Sequence, residues 1–412
     1  MKNKKNKINR RDFLKTAGAA GLGSIFVSAK TFAEPNDSNT AGQSAEPEFP
    51  QVPKRKLGKT GVEVPSLSTG IMYNAIDKQL ILRKALQWGV SYWDTAYGYA
   101  GGNSEVGIGK YISANPDVRK KLFIVTKASG AKTSAEREKL LLSSLERMNT
   151  DYIDLYYGVH GCNDPAQLTD ELKLWAENAK KRKLIRFFGF STHTNMAKCL
   201  TAAAKLGWID AIMTSYNFRL MQGPEMQAAV EACHKAGVGL IAMKVMAKLQ
   251  QIETEKDKKL ADHFLKSGFT QGQAKIKAVL ADKRFCSACI SMQNIATLTE
   301  NVAAVLDKTK LSRLDSQVLD EYAQATCSGY CAGCSDICNR QLPAAPYISE
   351  VMRYLMYYNS YGDKDRAREL FSQIPSQVKN KLTCLDYSSA EASCPQRLPI
   401  AKLVAEAVGK LA

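Results

Sequence analysis

The chain has 412 residues, 45% of them apolar and 24% charged, a globular composition long enough for one large domain and a smaller one. Its formal charge of +17 is not gathered in one stripe: residues 1–33 hold eight Lys/Arg against Asp12, +7 in all, and the remaining +10 is dispersed among acids. That distribution describes a solvated basic surface and argues against nucleic acid as a partner.

The N-terminus reads as an address. A basic run, "MKNKKNKINRRDFLK", precedes "TAGAAGLGSIFVSA", which is too short to cross a bilayer as a helix, and "TFA" then offers small residues at Thr31 and Ala33 for cleavage. Arg10 and Arg11, followed by Asp12, Phe13, Leu14 and Lys15, resemble a twin-arginine export signal. The resemblance implies a signal peptide over 1–33, passage through the twin-arginine export machinery, a periplasmic product and no stable membrane span after processing. An uncleaved anchor is the other reading. No cysteine precedes Cys162, which excludes lipid attachment at the cleavage site. Residues 34–53, polar and proline-rich, read as a flexible linker.

From residue 54, short β-branched or aromatic runs alternate with amphipathic segments. The runs are "SYWDTA" at 91, "LFIVTKA" at 122, "YIDLYYGVH" at 152, "IRFFGFST" at 185, "IDAIMTSYN" at 209, "VGLIAMK" at 238 and "FCSACISM" at 285. Between them lie helical patterns such as "SAEREKLLLSSLERMN", with Leu141, Leu145 and Met148 on one face. Polar residues recur at the strand ends, Asp94, Lys127, His160 and Ser191, separated by 33, 33 and 31 residues. That is the length of one strand-helix unit, so residues 54–310 are expected to form an α/β fold, a (β/α)8 TIM barrel, with these side chains at one mouth. No Gly-x-Gly-x-x-Gly turn follows the early strands, which argues against an open dinucleotide-binding sheet.

In order over residues 54–308, "DTAYGY" with "NSEVGIGK", "VTK", "YYGVH", "GFSTH" and "NIATLTENV" resemble the aldo-keto reductases. The resemblance implies a catalytic tetrad of Asp94, Tyr99, Lys127 and His160. Carbonyl reduction leaves an alkoxide that needs a proton, and free tyrosine, with a pKa of about 10, is a reluctant donor near neutrality. An ammonium at Lys127 is expected to lower that pKa, Asp94 to hold the lysine, and His160 to orient the substrate oxygen. Singly, each residue reads as structural: an ion pair, a rim aromatic, a satisfied histidine. Four in register read as catalysis.

The family pattern further implies an NAD(P)H site. Ser191 and Thr192 would face the carboxamide, Asn217 and Lys244 would follow the next two strands, and Asn301 would reach the adenine, with the pyrophosphate near Lys244 and the 291–294 turn. The chain departs from the pattern at Met213, where many members carry Gln, at Met243, where an aromatic stacks on the nicotinamide, and in "SMQNIATLTEN", which lacks a base for a 2′-phosphate. NADP and NAD are therefore not distinguished. Tyr97, Tyr99, Tyr216 and Phe218 suit a sugar or hydrophobic carbonyl at the mouth, and suit packing equally.

Residues 311–412 read as a mainly helical, Cys-rich extension. "CSGYCAGCSDIC" supplies Cys327, Cys331, Cys334 and Cys338, and Cys384 and Cys394 follow, the latter before Pro395. The segment resembles the ferredoxin-like extension of some bacterial aldo-keto reductases, which implies an iron-sulfur cluster. Both motifs are imperfect: three residues separate Cys327 from Cys331, and Tyr387 and Ala390 stand at two ligand positions of the second. Six thiols allow at most one all-cysteine [4Fe-4S] cluster, with Cys394 as the alternative fourth ligand to Cys338. Disulfides and zinc stay open. Cys162, Cys199, Cys233, Cys286 and Cys289 read as packing residues. The leading expectation is an exported oxidoreductase interconverting a small-molecule carbonyl and an alcohol, with a redox partner left open. The alternative is a barrel that serves electron transfer or binding and no longer turns over NAD(P).

Overall fold

The computed structural model describes residues 49–249 and 255–412. The twin-arginine segment and all of the linker up to residue 48 lie outside them.

Two short strands, β1 (Lys54–Lys56) and β2 (Glu63–Pro65), pair as an antiparallel hairpin. Leu57 and Val64 of this hairpin are buried with Tyr92, Val125, Leu155 and Ile241, so it closes the bottom of the barrel as an apolar plug. The turn approaches the wall closely. At Gly58, φ is +52° and a Cβ would stand 2.3 Å from the Gly237 carbonyl oxygen, which leaves glycine as the side chain that fits.

Eight parallel strands then close on themselves: β3 (Leu67–Gly70), β4 (Tyr92–Asp94), β5 (Phe123–Lys127), β6 (Ile153–His160), β7 (Ile185–Thr192), β8 (Ala211–Ser215), β9 (Gly239–Met243) and β10 (Phe285–Ile290), with β10 paired to β3. This is the (β/α)8 barrel that the strand-end spacing predicts. The strands are buried on both faces, which is why they read as near-continuous apolar runs rather than alternating ones. Helices pack outside. That over Ser134–Arg147 starts at a capping box of Thr133 and Glu136 and buries Leu141 and Leu145 against the barrel, with Met148 buried at its end.

Beyond the barrel the chain is helical. The helix Arg313–Ala325 packs on the helix Glu255–Lys266, sharing a core of Phe218, Leu260, Phe264, Leu319, Tyr322 and Tyr330. The following helices, Ile348–Met356, Lys364–Ser372 and Ile400–Leu411 among them, bury a core of their own around Val351, Met352, Leu355, Phe371 and Val404. Helix Ile348–Met356 runs on into a π turn over Tyr357–Tyr361 that ends at Gly362, where φ is +71°. Among the described residues no helix is long and apolar enough to cross a membrane.

The extension docks on the mouth of the barrel. Gly333, at φ +78°, accepts from the Asn195 amide at 2.7 Å, and a Cβ there would meet the His193 carbonyl oxygen at 2.3 Å. Asn195 and Lys198 reach Asp336 at 2.8 and 3.1 Å, and Arg219 donates to Thr326 at 2.7 Å. These contacts place the tyrosine-rich π turn beside the strand ends.

Candidate active site

Parallel strands in register deliver their C-terminal side chains to one end. Gly70 pairs with Asp94, Lys127 with Tyr157, and His160 with Ser191. Lys127 Nζ donates to Asp94 Oδ1 at 2.6 Å and to the Thr95 carbonyl at 2.5 Å, and both side chains of the pair are at most 4% exposed. An ion pair so deeply buried persists only with its partners in place. Its ammonium lies 4.9 Å from the Tyr99 ring centroid, and that ring meets His160 edge-on at 5.9 Å. The structure thus brings Asp94, Tyr99, Lys127 and His160 together.

Two further groups hold this arrangement. Ser129 Oγ and His160 Nδ1 are 2.9 Å apart, leaving the other ring nitrogen for a ligand. Arg147 fastens the loop carrying Tyr99, donating to the Tyr97 carbonyl at 2.9 Å and to buried Glu105 at 3.1 Å. That loop needs fastening because Ala100, Gly101 and Gly102 all take positive φ.

The electrostatics differ from the sequence expectation in one respect. Burial pushes the Tyr99 phenol well above its ordinary pKa, Asp94 and Tyr357 push the same way, and Arg366 opposes them. The expected net lowering does not materialise, because desolvation of the buried ring dominates. Burial likewise raises Asp94, against the pull of Lys127. His160 is held well below its ordinary value by burial and by Lys127, Arg366, Arg353 and Lys244, so its ring is neutral at pH 7.

The residues expected to hold a nucleotide are less uniform. Ser191 Oγ accepts from the Gly161 amide at 3.1 Å, and Thr192 donates to the Thr194 carbonyl at 3.0 Å. Asn217 is buried and donates to the Lys244 carbonyl at 3.1 Å and to Tyr330 Oη at 3.0 Å. Its amide is engaged inside the protein. Asn301 is buried with Nδ2 unpartnered, a donor that a ligand could satisfy. Tyr216 and Phe218 belong to cores rather than the mouth: Tyr216 stacks on Phe285 at 4.1 Å and donates to Asp282 at 2.7 Å.

The sequence reading missed the roof. Arg353, Tyr357 and Tyr361 come from the extension and face the barrel's Lys244 and His193. Lys244 Nζ donates to Tyr357 Oη at 3.3 Å and lies 4.7 Å from the Tyr361 ring centroid. Arg353 donates to His193 Nε2 at 2.8 Å and to Thr194 Oγ1 at 2.6 Å. The signal was present as "RYLMYYNSYGDKDRAR", where aromatic and basic residues crowd an amphipathic segment.

The thiols also regroup. Cys331, Cys334, Cys338 and Cys394 line one cavity, and Cys327, on the turn Cys327–Gly329, is not among its walls. Burial pushes Cys331 and Cys338 up to about 12 and raises Cys334, with neighbouring thiols adding to each. All eleven cysteines are free. Among the described residues no three His, Cys, Asp or Glu side chains converge as ligands of a single metal ion. The five barrel cysteines are buried.

A parallel eight-stranded barrel with charged and aromatic side chains gathered at its C-terminal mouth is the architecture of a barrel enzyme. Residues 68–318 match the model of the aldo/keto reductase family, and the chain belongs to that family and is an oxidoreductase. Residues 7–25 match a twin-arginine translocation signal sequence, which directs export across the membrane. The chain is 24% identical to L-glyceraldehyde 3-phosphate reductase of Escherichia coli (strain K12), over 67% of this chain and 95% of that one. It is 25% identical to L-galactose dehydrogenase of Arabidopsis thaliana, over 65% and 92%. Among solved structures, the thermostable aldo-keto reductase Tm1743 shares 28% identity with a TM-score of 0.55, covering 65% of this chain and 99% of its own. Aldo-keto reductase AKR11C1 from Bacillus halodurans, at 23% identity and a TM-score of 0.56 over 66% and 96% of the two chains, shares the fold.

Proposed function

We propose that the protein works in the periplasm, interconverting an aldehyde or ketone and an alcohol, with residues 54–310 as the catalytic barrel and 311–412 as a cluster-bearing extension. The observation that carries the reading is the buried Asp94–Lys127 pair beneath Tyr99 and His160. In the reducing direction Tyr99 gives its proton to the carbonyl oxygen as hydride reaches the carbon. Its raised pKa keeps it protonated, hence an acid, across the neutral range. Neutral His160 donates a hydrogen bond to the same oxygen, and Lys127, fixed by Asp94, stabilises the negative charge left on Tyr99.

A nicotinamide nucleotide supplies the hydride when bound. Unpartnered Asn301 suits its adenine end, with Ser191, Thr192 and Lys244 along the remaining path. Asn217 does not join them, because Lys244 and Tyr330 already hold its amide. Following NADPH and NADH binding by fluorescence on the purified protein tests this: saturable binding of either is expected, and binding of neither defeats the reading. One observation favours a second reading, in which the barrel binds or transfers electrons without turning over a nucleotide. The cavity at the mouth is walled partly by the extension, and the tetrad is not among its walls. The same titration separates the two.

We further propose a [4Fe-4S] cluster on Cys331, Cys334, Cys338 and Cys394. Four free thiols around one cavity, with no three meeting at a single ion, suit a cluster spanning several ångströms better than zinc. The raised pKa values of Cys331, Cys334 and Cys338 mean that binding there must release protons. Assembly before folded export would shield these thiols from oxidation, and the cluster would exchange single electrons with a redox partner.

A further inference from the structure

The seam between barrel and extension brings one more charged side chain to the tetrad. Arg366, in the helix Lys364–Ser372, reaches the loop that carries Tyr99: its Nη1 stands 3.9 Å from where a Cβ on Gly98 would be, and Ser129 lies 3.5 Å from the same point. Ser129 Oγ accepts from the Gly98 amide at 3.3 Å and is 2.9 Å from His160 Nδ1, so the guanidinium lies beside the groups assigned to the substrate oxygen. Gly98 has φ −91° and ψ 0°, a turn conformation open to residues with side chains, and a Cβ there would make ordinary contacts. The backbone does not demand glycine; what glycine leaves is room between the Tyr99 loop and Arg366. Gly98, Tyr99 and Arg366 are all half-buried, so that room opens to solvent.

Its partners set Arg366 apart from the other cations at the mouth. Lys127, Arg366, Arg353 and Lys244 all press on His160. Among the described residues, Lys127 is engaged by buried Asp94, Arg353 by His193 and Thr194, and Lys244 by Tyr357. Arg366 instead meets Glu369 at 2.8 Å, three residues along the same helix, where the carboxylate side chain is 56% exposed and the arginine 20%. An exposed pair of this kind contributes little to stability and yields readily to a better-placed anion. It also engages Nη1 alone, on a fork that carries five N–H donors. Asp94 is committed to Lys127, which leaves a positive field over His160 that draws anions to the mouth.

We infer that Arg366 selects the substrate: it takes the carboxylate or phosphate of an acidic aldehyde or ketone while Tyr99 and His160 hold the carbonyl oxygen. The inference rests on the carbonyl-reducing role proposed for the tetrad and narrows it to substrates whose acidic group lies a short chain away from the carbonyl. A guanidinium fork suits either oxyanion. Because Arg366 belongs to the extension, the extension takes part in substrate choice.

With the mature protein and whichever nicotinamide nucleotide binds, kcat and KM are compared for two matched pairs, succinic semialdehyde with butanal and glyceraldehyde 3-phosphate with glyceraldehyde. Wild type should prefer the acidic member of at least one pair by roughly tenfold or more in kcat/KM, and the pair that shows it tells carboxylate from phosphate. Arg366→Met should cut that acid-to-neutral ratio by a similar factor, through KM of the acidic member. The neutral member reports any change at Tyr99 or His160 and any loosening of the extension, so the ratio isolates the anion. Arg366→Lys should keep part of the preference, Glu369→Gln, which frees the guanidinium, should keep or sharpen it, and Lys402→Gln, exposed on the last helix, should leave it unchanged. No acid preference in wild type, or a ratio unchanged in Arg366→Met, would overturn the assignment. Should wild type reduce none of the four, hydride transfer is in question but the anion site is decided separately, by calorimetric titration with 4-hydroxybutyrate and glycerol 3-phosphate. Binding of either to wild type, weakened roughly tenfold in Arg366→Met, upholds the site; absent or unweakened binding overturns it.

Discussion

Removing the ammonium from the buried pair should reveal what Asp94 costs when alone. In Lys127→Met the Asp94 carboxylate loses a 2.6 Å charge-assisted bond, and its other oxygen, Oδ2, already has no hydrogen-bond partner. Breaking a buried pair on one side costs about 3–5 kcal/mol, because the remaining charge can neither reach water nor find a counter-ion. The effect should depend on pH in a definite direction. Burial raises the Asp94 pKa, and removing Lys127 raises it further, so the folded variant binds a proton more readily than the unfolded chain does. Protonation therefore favours the fold: the deficit should be full at pH 8 and shrink as pH falls through the raised pKa toward the ordinary carboxylate range. Replacing the partner too, in the double variant Asp94→Asn/Lys127→Met, should recover most of the loss at pH 8. Urea denaturation of the three proteins at pH 5.5 and 8 measures these differences. A Lys127→Met protein as stable as wild type at pH 8, or one whose deficit grows on acidification, would refute the reasoning.

Replacing Arg10 and Arg11 together by Lys should leave folded, full-length protein in the cytoplasm, as cell fractionation would show; normal processing of that variant would contradict the export reading. Because His160 is neutral and Tyr99 protonated throughout, the rate of carbonyl reduction should be flat from pH 6 to 9, with no step near the ordinary histidine pKa of about 6.5. A loss of rate on acidification through 6.5 that vanishes in His160→Gln would show the burial argument to be wrong. Protein purified without oxygen should be brown and hold about four iron and four sulfide per chain. Cys331→Ser and Cys394→Ser should each abolish the colour while Cys327→Ser keeps it; dependence on Cys327 instead would reject the ligand set read from the cavity.

Much of the barrel was legible because its physics is local. Strands buried on both faces must be apolar throughout, so seven of the eight stood out as runs, and a polar residue closing such a run had to be at the mouth. The first barrel strand did not stand out. β3 is "LSTG", four residues whose Ser68 and Thr69 are buried polar groups, and pairing with β4 and β10 rather than composition makes it a strand. Residues acting across the seam were harder to see. Nothing local says that Tyr330 will occupy the Asn217 amide, or that Arg353 will meet His193, because each contact joins positions more than one hundred residues apart. The thiols show the same limit: adjacency in sequence grouped Cys327 with its neighbours, whereas folding brings Cys394 to the cavity. Tyr99 is the case where charge reasoning alone misled, since proximity to Lys127 was visible in the pattern but the extent of burial was not.

The central claim is that Tyr99 is the proton donor of a hydride-transfer reaction, and single-turnover reduction of an aldehyde by Tyr99→Phe, preloaded with the nucleotide that binds, addresses it most directly. Nucleotide affinity should match wild type while the chemical step slows by ~10² to 10⁴, the range for a lost general acid. Reduction at the wild-type rate with the nucleotide fully bound would contradict the account.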